Sequence, residues 1–303
     1  MTDRLGRTAS WPARIFDVHS HWGTRRGYPF QTPEELAQQE RVFRSKPSYV
    51  SEAEMAEHFR ARGVRAILDL GVRAPALIDE IRALHDYAFE TQKQHADVIV
   101  GHWLHVDPRL GKLAVNELAR CLGRGVGFVG LGVPGAGFNV AANDPSYAPL
   151  YELCIEARAP ALIMVGTTGL GAGRPGGAGV KLAFSHPRYV DDVAATYPEL
   201  TIIASRPAWP WQAEMIAILL HKANVWYEVH GWSPRYFTDD LKSEIARRLQ
   251  DRVMFGADYP MFRYERLVAD WQSEGYSDAV LEKVFYRNAE RLFAEGGDND
   301  SRK

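Results

Sequence analysis

Ile15-Phe16-Asp17-Val18-His19-Ser20-His21 is a short apolar run that ends in two histidines. Along a strand, successive side chains alternate faces, so His19 and His21 point the same way near its C-terminal end. Two imidazoles placed in this way can share one metal ion. A lone His-x-His is equally an ordinary polar pair at a strand end. Its meaning is set by what the rest of the chain brings beside it.

Downstream, apolar runs alternate with segments of helical period. Strand character appears at 14–19, 64–71, 97–106, 125–133, 161–166, 200–205, 224–230 and 252–257. Helical pattern fills 52–62, 76–95, 110–122, 146–158, 187–197, 209–222, 239–249, 263–273 and 277–294. Ser51 with Glu54 reads as a capping box. The long loop 22–50 carries Trp22, Arg25, Arg26 and Tyr28, and the segment Thr32–Phe43 within it predicts one more helix. Eight short, mostly apolar strands separated by helices predict a parallel sheet. Eight such units in one chain predict an α/β fold, a (β/α)8 TIM barrel with a long loop after strand one and an extra C-terminal helix. The expected layout is an arm over 1–13, one domain over 14–294 and a polar tail over 295–303. The glycine-rich stretch Thr167–Gly179 follows strand five and lacks a Gly-Lys-Ser/Thr ending. It is read as a lid or substrate loop rather than a nucleotide loop.

Composition narrows the function. Hydrophobic residues make up 46% and charged residues 24% of the 303, and the net charge is −2 with no long run of one sign. That gives no footing for nucleic acid or a membrane surface. Cys121 and Cys154 lie in helical patterns and are expected as buried free thiols. The N-terminus lacks the apolar core of a signal peptide, and no apolar run nears the ~20 residues that span a bilayer. The expectation is a cytoplasmic enzyme acting on a small molecule.

A barrel gathers its strand ends on one face. Strand eight, neighbour of strand one by closure, brings Asp258. Strand seven brings Glu228 and His230 on one shared face, strand three His105, and strand two Asp69, itself a common kind of loop cap. Two histidines with a carboxylate suit Zn, Mn or Fe. Trp22, Trp209, Trp211 and Trp232 fall near strand ends, where they can wall a pocket or pack loops. His58, His85, His95 and His221 sit in helical patterns and are expected at the surface or core edge.

The order of motifs carries a resemblance from about residue 14 to 294. These are DVHSH at the start, Val106-Asp107-Pro108, Gly166-Thr167-Thr168-Gly169, Pro207-Ala208-Trp209-Pro210-Trp211-Gln212, Gly231-Trp232-Ser233-Pro234, Phe255-Gly256-Ala257-Asp258-Tyr259-Pro260 and Arg287-Asn288-Ala289-Glu290-Arg291-Leu292-Phe293. Together they resemble the amidohydrolase-related metal enzymes, in the branch of aminocarboxymuconate-semialdehyde-type and resorcylate-type decarboxylases. The resemblance implies a divalent metal (Zn, or Mn/Fe) held by His19, His21 and Asp258; His230, which lies where relatives usually carry Ser, joins the expected ligands by its place on strand seven, with Glu228 and His105 as further candidates. The resemblance also implies a catalytic role for Asp258, the base in relatives with one metal, while Glu228 and His230 are read from their place as groups that move protons. Three departures stand out. Met164 replaces the usual strand-five histidine, Arg206 the strand-six histidine, and strand four offers no lysine. A guanidinium cannot ligate a cation, so Arg206 is read as binding a substrate carboxylate, with Trp22 and Trp209 beside it. The function read from these residues is a metal-dependent hydrolase or decarboxylase acting on a small carboxylate- or amide-bearing molecule through a metal-activated water. The alternatives are a dinuclear Mn/Fe or di-iron oxygenase, or a subunit of one, with a rearranged ligand set, and a non-catalytic partner subunit. A homo-oligomer, or pairing with a related barrel, is expected.

Overall fold

Eight parallel strands, β1 (Ile15–His21), β2 (Val64–Asp69), β3 (Ile99–Leu104), β4 (Phe128–Val133), β5 (Ala161–Met164), β6 (Ile202–Ser205), β7 (Val225–Glu228) and β8 (Val253–Met254), pair in chain order. The computed structural model describes residues 11–27, 31–72 and 75–295. Tyr28, most of the expected arm and all but one residue of the expected tail lie outside them. Helices α1 (Pro33–Phe43), α2 (Glu52–Arg60), α3 (Ile78–Gln94), α4 (Lys112–Leu122), α5 (Ala148–Glu156), α6 (Arg188–Thr196), α7 (Gln212–His221), α8 (Asp239–Ala246) and α9 (Tyr264–Ser273) follow the strands. The backbone closes the ring where Val18 N–H donates to Phe255 O at 3.0 Å and Asp258 N–H to His19 O at 2.9 Å. The (β/α)8 barrel read from the sequence is the fold. Among the described residues, no helix is long and apolar enough to cross a membrane.

Most elements begin or end within a few residues of their sequence signals. Thr32 and Ser51 cap α1 and α2, each closing a capping box with Glu35 and Glu54. The C-terminal segment departs from expectation. The helix predicted over 277–294 divides into α10 (Asp278–Glu282), a π turn (Lys283–Arg287) and α11 (Asn288–Glu295). The π turn leaves Val284 O to accept from Phe255 N–H at 2.9 Å, and Asn288 Nδ2 donates to Val253 O at 2.7 Å. β8 is only two residues long because this helix satisfies much of its backbone.

The barrel interior has two layers. The lower one is apolar: Phe16, Val18, Ile67, Trp103, Leu162, Ile203 and Met254 pack together, and α11 plugs the N-terminal mouth. There Phe293 stacks on Phe16 with centroids 5.6 Å apart. The upper layer is polar and holds the candidate site. Cys121 and Cys154 are buried free thiols, as expected. His85 is not at the core edge. It is fully buried between α3 and α4, where its Nδ1–H donates to Glu117 at 2.7 Å. Glu117 also receives Arg120 and the Cys121 thiol, while His85 Nε2 is buried without a hydrogen bond.

β1 could not place both Phe16–Val18 and His19–His21 inward by strict alternation. An irregularity in its pairing with β2, between Asp17 and Ser20, resets the parity. The Asp17 carboxylate holds that irregularity. Oδ1 accepts the backbone N–H of His19 (3.1 Å) and of Ala257 (3.0 Å), and Oδ2 accepts the hydroxyls of Ser20 and Tyr264. Asp17→Ala would leave four buried donors without an acceptor. It is expected to lower stability by about 4 kcal/mol in urea unfolding, against about 1 kcal/mol for Tyr264→Phe.

Candidate metal centre

The upper layer is built one strand end at a time. β1 contributes His19 and His21, β2 Asp69, β5 Met164, β6 Ser205 and β7 Glu228. The residues just past β3, β6, β7 and β8 add His105, Arg206, His230 and Asp258. Two glycines make the room. A Cβ on Gly132 of β4 would lie 2.3 Å from the His105 ring, and one on Gly256 would lie 2.7 Å from Glu228 Oε2 and from His230 Cβ. Strand four therefore gives the site space rather than a ligand, and the His105 imidazole occupies it.

Three carboxylates each hold an imidazole. Glu228 Oε1 is 2.7 Å from His230 Nδ1, Asp69 Oδ2 is 2.9 Å from His105 Nε2, and Asp258 Oδ1 is 3.2 Å from His21 Nε2. Burial pushes all three carboxyls up, but the facing imidazoles outweigh it and hold Glu228, Asp69 and Asp258 below the usual range. His21 also donates from Nδ1 to Asp69 O at 3.1 Å. Burial pulls His21 down, and the bond to Asp258 more than offsets this, so His21 titrates above an ordinary histidine.

His19 lies at the centre without a carboxylate of its own. Its ring stacks on His230, with centroids 3.6 Å apart and planes within 5°. Nδ1 is 3.3 Å from Glu228 Oε1 and Nε2 is 3.6 Å from Asp69 Oδ2. Both nitrogens are buried and neither makes a hydrogen bond. Burial, reinforced by His230, lowers the ring's pKa against the opposing pull of Glu228 and Asp69. Ligand atoms around a tetrahedral divalent ion stand about 3.4 Å apart, given bonds of about 2.1 Å. The donors of His19, Glu228 and His230 lie within 4.8 Å of one another. An orphaned imidazole between carboxylates at such separations fits a divalent metal.

Arg206 takes a left-handed backbone conformation, φ 82°, which is costly for a residue other than glycine. Its Nε–H donates to His230 Nε2 at 3.1 Å. That nitrogen is thus the acceptor, and the proton of the ring sits on Nδ1, facing Glu228. Arg206 also borders a cavity whose floor is His21, Asp69, His105 and Asp258. Met164, Thr167, Thr168, Leu170, Trp232 and Phe262 form part of its wall, and α1 covers it with Gln39 and Phe43. His19, Glu228 and His230 lie beneath that floor. The glycine-rich stretch begins against the cavity and reaches α1, where Arg174 pairs with Glu35 at 2.6 Å and Gln38 donates to Gly173 O at 3.2 Å.

Two expected substrate contacts fall elsewhere. Trp22 is fully buried outside the cavity, where its Nε1–H donates to His102 Nε2 at 2.8 Å and its ring meets Tyr87 edge-on. Strand alternation already turns Trp22 away from His21 and toward the helices. Trp209 is 47% exposed and reaches the cavity only through Trp232, on which it stacks. Two residues proved more central than expected. Asp69 does cap its loop, accepting from Gly71 N–H at 2.6 Å, yet its other oxygen faces His105 and His19. Ser205, which sequence reasoning missed, donates to Glu228 Oε1 and lies 3.3 Å from His230 Nδ1. Its place two residues after inward-facing Ile203 is the signal that would have found it.

Residues 16–294 match the model of the amidohydrolase family. No curated protein matches significantly. Solved structures share the fold at low identity. An uncharacterised TIM-barrel protein from Bordetella bronchiseptica is 20% identical, with a TM-score of 0.70 over 94% of this chain and 100% of its own. A 2,6-dihydroxybenzoate decarboxylase from Rhizobium is 17% identical, with a TM-score of 0.68 over 94% and 99%. A 5-carboxyvanillate decarboxylase from Novosphingobium aromaticivorans, complexed with manganese and a nitrobenzoic acid derivative, is 17% identical, with a TM-score of 0.67 over 97% and 99%. With the family match extending over nearly the whole barrel, the chain belongs to the amidohydrolase family, as an enzyme of hydrolase or lyase type.

Proposed function

We propose that this enzyme is metal-dependent and acts on a small organic carboxylate, with decarboxylation as the reaction and hydrolysis beside the carboxylate as the nearest variant. The observation that carries this reading is His19, buried between Glu228 and Asp69 at 3.3 and 3.6 Å with no hydrogen bond at either nitrogen. His19, Glu228 and His230 would hold the metal, His230 giving up for it one of the two hydrogen bonds its ring nitrogens make here, and His21 and Asp258 adjoin the site from the cavity side. When bound, a divalent ion supplies Lewis acidity toward substrate oxygen and acidifies water. The structurally related decarboxylase complexed with manganese is in keeping with such an ion here.

The chain's own groups supply the rest. Arg206 at the cavity wall offers a planar, permanently charged donor for a carboxylate. His21 faces the cavity with Asp258 at its Nε2, a pairing that favours its protonated form, so it can deliver a proton to the carbon that loses CO2. In the hydrolytic variant the same pair would protonate a leaving group. Apolar wall residues such as Met164, Leu170 and Phe262 reduce the water around these charges and strengthen their fields.

Four histidines and three carboxylates exceed what one ion needs, which is the observation favouring a second reading, a dinuclear Mn/Fe oxygen-using enzyme. Metal analysis of protein purified without chelator separates the readings. One equivalent of Zn or Mn, with CO2 release independent of oxygen, is expected. Two equivalents of Fe or Mn with oxygen uptake would favour the oxygenase. His19→Ala should lose the metal, and protein that carries no stoichiometric metal and keeps its activity as His19→Ala would sink both readings. Arg206→Leu is expected to weaken carboxylate binding by about 10–100-fold while sparing the corresponding neutral amide, as measured by calorimetry. Equal loss for both ligands would contradict the assignment.

A further inference from the structure

Three aromatic rings run outward from the cavity over the loops that follow β6 and β7. Trp232 forms part of the cavity wall. Trp209 stacks on it with centroids 5.9 Å apart and planes 30° apart, and Tyr236 meets it edge-on at 6.4 Å. Trp209 is 47% and Tyr236 63% exposed. Large rings that stay exposed side by side forgo burial that a core would give them, which marks a binding surface more often than a packing accident.

The backbone beneath these rings is held. Thr167 N–H donates to Trp209 O at 2.9 Å, tying that loop to the one after β5. Ser233 caps the short 3-10 turn of Pro234–Tyr236, accepting from Arg235 N–H at 3.3 Å, and Tyr236 N–H donates to Ser233 O at 3.0 Å. The rings are thus presented in place, as a preorganised surface requires. The same two loops begin with Arg206 and His230. A ligand anchored at Arg206 and extending past Trp232 would leave the cavity along these rings.

We infer that Trp232, Trp209 and Tyr236 form an outer subsite for a flat, apolar, aromatic or conjugated extension of the substrate whose carboxylate Arg206 binds. The inference rests on the function proposed above. Flat π systems are recognised by offset and edge contacts with aromatic rings, and a charged or strongly hydrated extension would gain nothing there. The substrate is therefore longer than a single-ring acid.

Benzoate and biphenyl-4-carboxylate serve as probes in calorimetry on the full chain. Biphenyl-4-carboxylate is expected to bind about tenfold more tightly than benzoate. Arg206→Leu should weaken both. Trp209→Ala combined with Tyr236→Ala should remove the tenfold advantage and leave benzoate affinity as it was. Both rings are exposed, so this variant is expected to keep the native melting temperature, which is checked alongside. If both acids bind through Arg206 but with equal affinity, or if the advantage survives the double substitution, the subsite is overturned and the Arg206 assignment stands. If neither acid binds, or binding ignores Arg206→Leu, both fall. A change from dimer to monomer in the double variant, seen by light scattering, would instead make the rings a contact between copies and also overturn the subsite.

Discussion

The Asp17 carboxylate is the constraint on which the site depends. It accepts from the backbone of His19 on β1 and of Ala257 just past β8, so one side chain joins the two ends of the sheet. It also fixes the parity change that lets β1 place Phe16 and Val18 in the apolar layer and His19 and His21 in the polar one. Without the irregularity, inward-facing Val18 would turn His19 out of the barrel. Burial pushes the Asp17 pKa up, and the donors of Ser20, Tyr264, Ala257 and His19 counter it. Tyr259 N–H donates to the Ser20 hydroxyl at 2.9 Å, which extends the clasp to the residue after Asp258. Barrel closure and the placing of His19 and Asp258 are one set of hydrogen bonds.

Above that clasp, the polar layer survives burial through pairing. An isolated carboxylate in such a setting would neutralise itself by taking a proton. Here each has an imidazole within 3.2 Å, and Ser205 and Gly71 add donors to Glu228 and Asp69. The glycines at 132 and 256 are part of the same solution, since the rings and carboxylates fill the volumes their side chains would take. His19 is the one imidazole this scheme leaves without a hydrogen bond at either nitrogen.

How much of this was legible in the sequence follows from the physics of each signal. Parallel strands buried on both faces read as continuous apolar runs, and their helices carry a 3.6-residue period, so the eight units and their order were plain. Asp258, Glu228, His230 and the His19–His21 pair follow from alternation and closure. The irregularity in β1 was invisible because nothing local distinguishes a strand that changes parity from one that keeps it. The brevity of β8 was hidden because Val284 and Asn288, which satisfy its backbone, lie some thirty residues away. Other misses had a signal. Trp22 falls on the outward parity, Ser205 and Asp69 on the inward one. His85 lies four residues after buried Ile81 and three before buried Ala88, on the core stripe of α3.

Arg206 beside a metal centre looks paradoxical until the charges are counted. Asp69, Glu228 and Asp258 bring three negative charges to the floor, and Arg206 returns one positive charge. Before any charge on the imidazoles is counted, two negative charges remain in a largely buried setting. Asp258 and Asp69 raise His21, and a divalent ion beside the floor would offset the charge that Arg206 leaves. Two divalent ions would overshoot by two positive charges and would need anionic oxygens from solvent or substrate to share them. Arg206 therefore occupies by charge as well as by place part of the role a further cation would play. Its bond to His230 Nε2 also turns the proton of that ring toward Glu228. Arg206 at the end of β6 thus lowers the negative charge of the whole floor and presents a cation at the cavity wall.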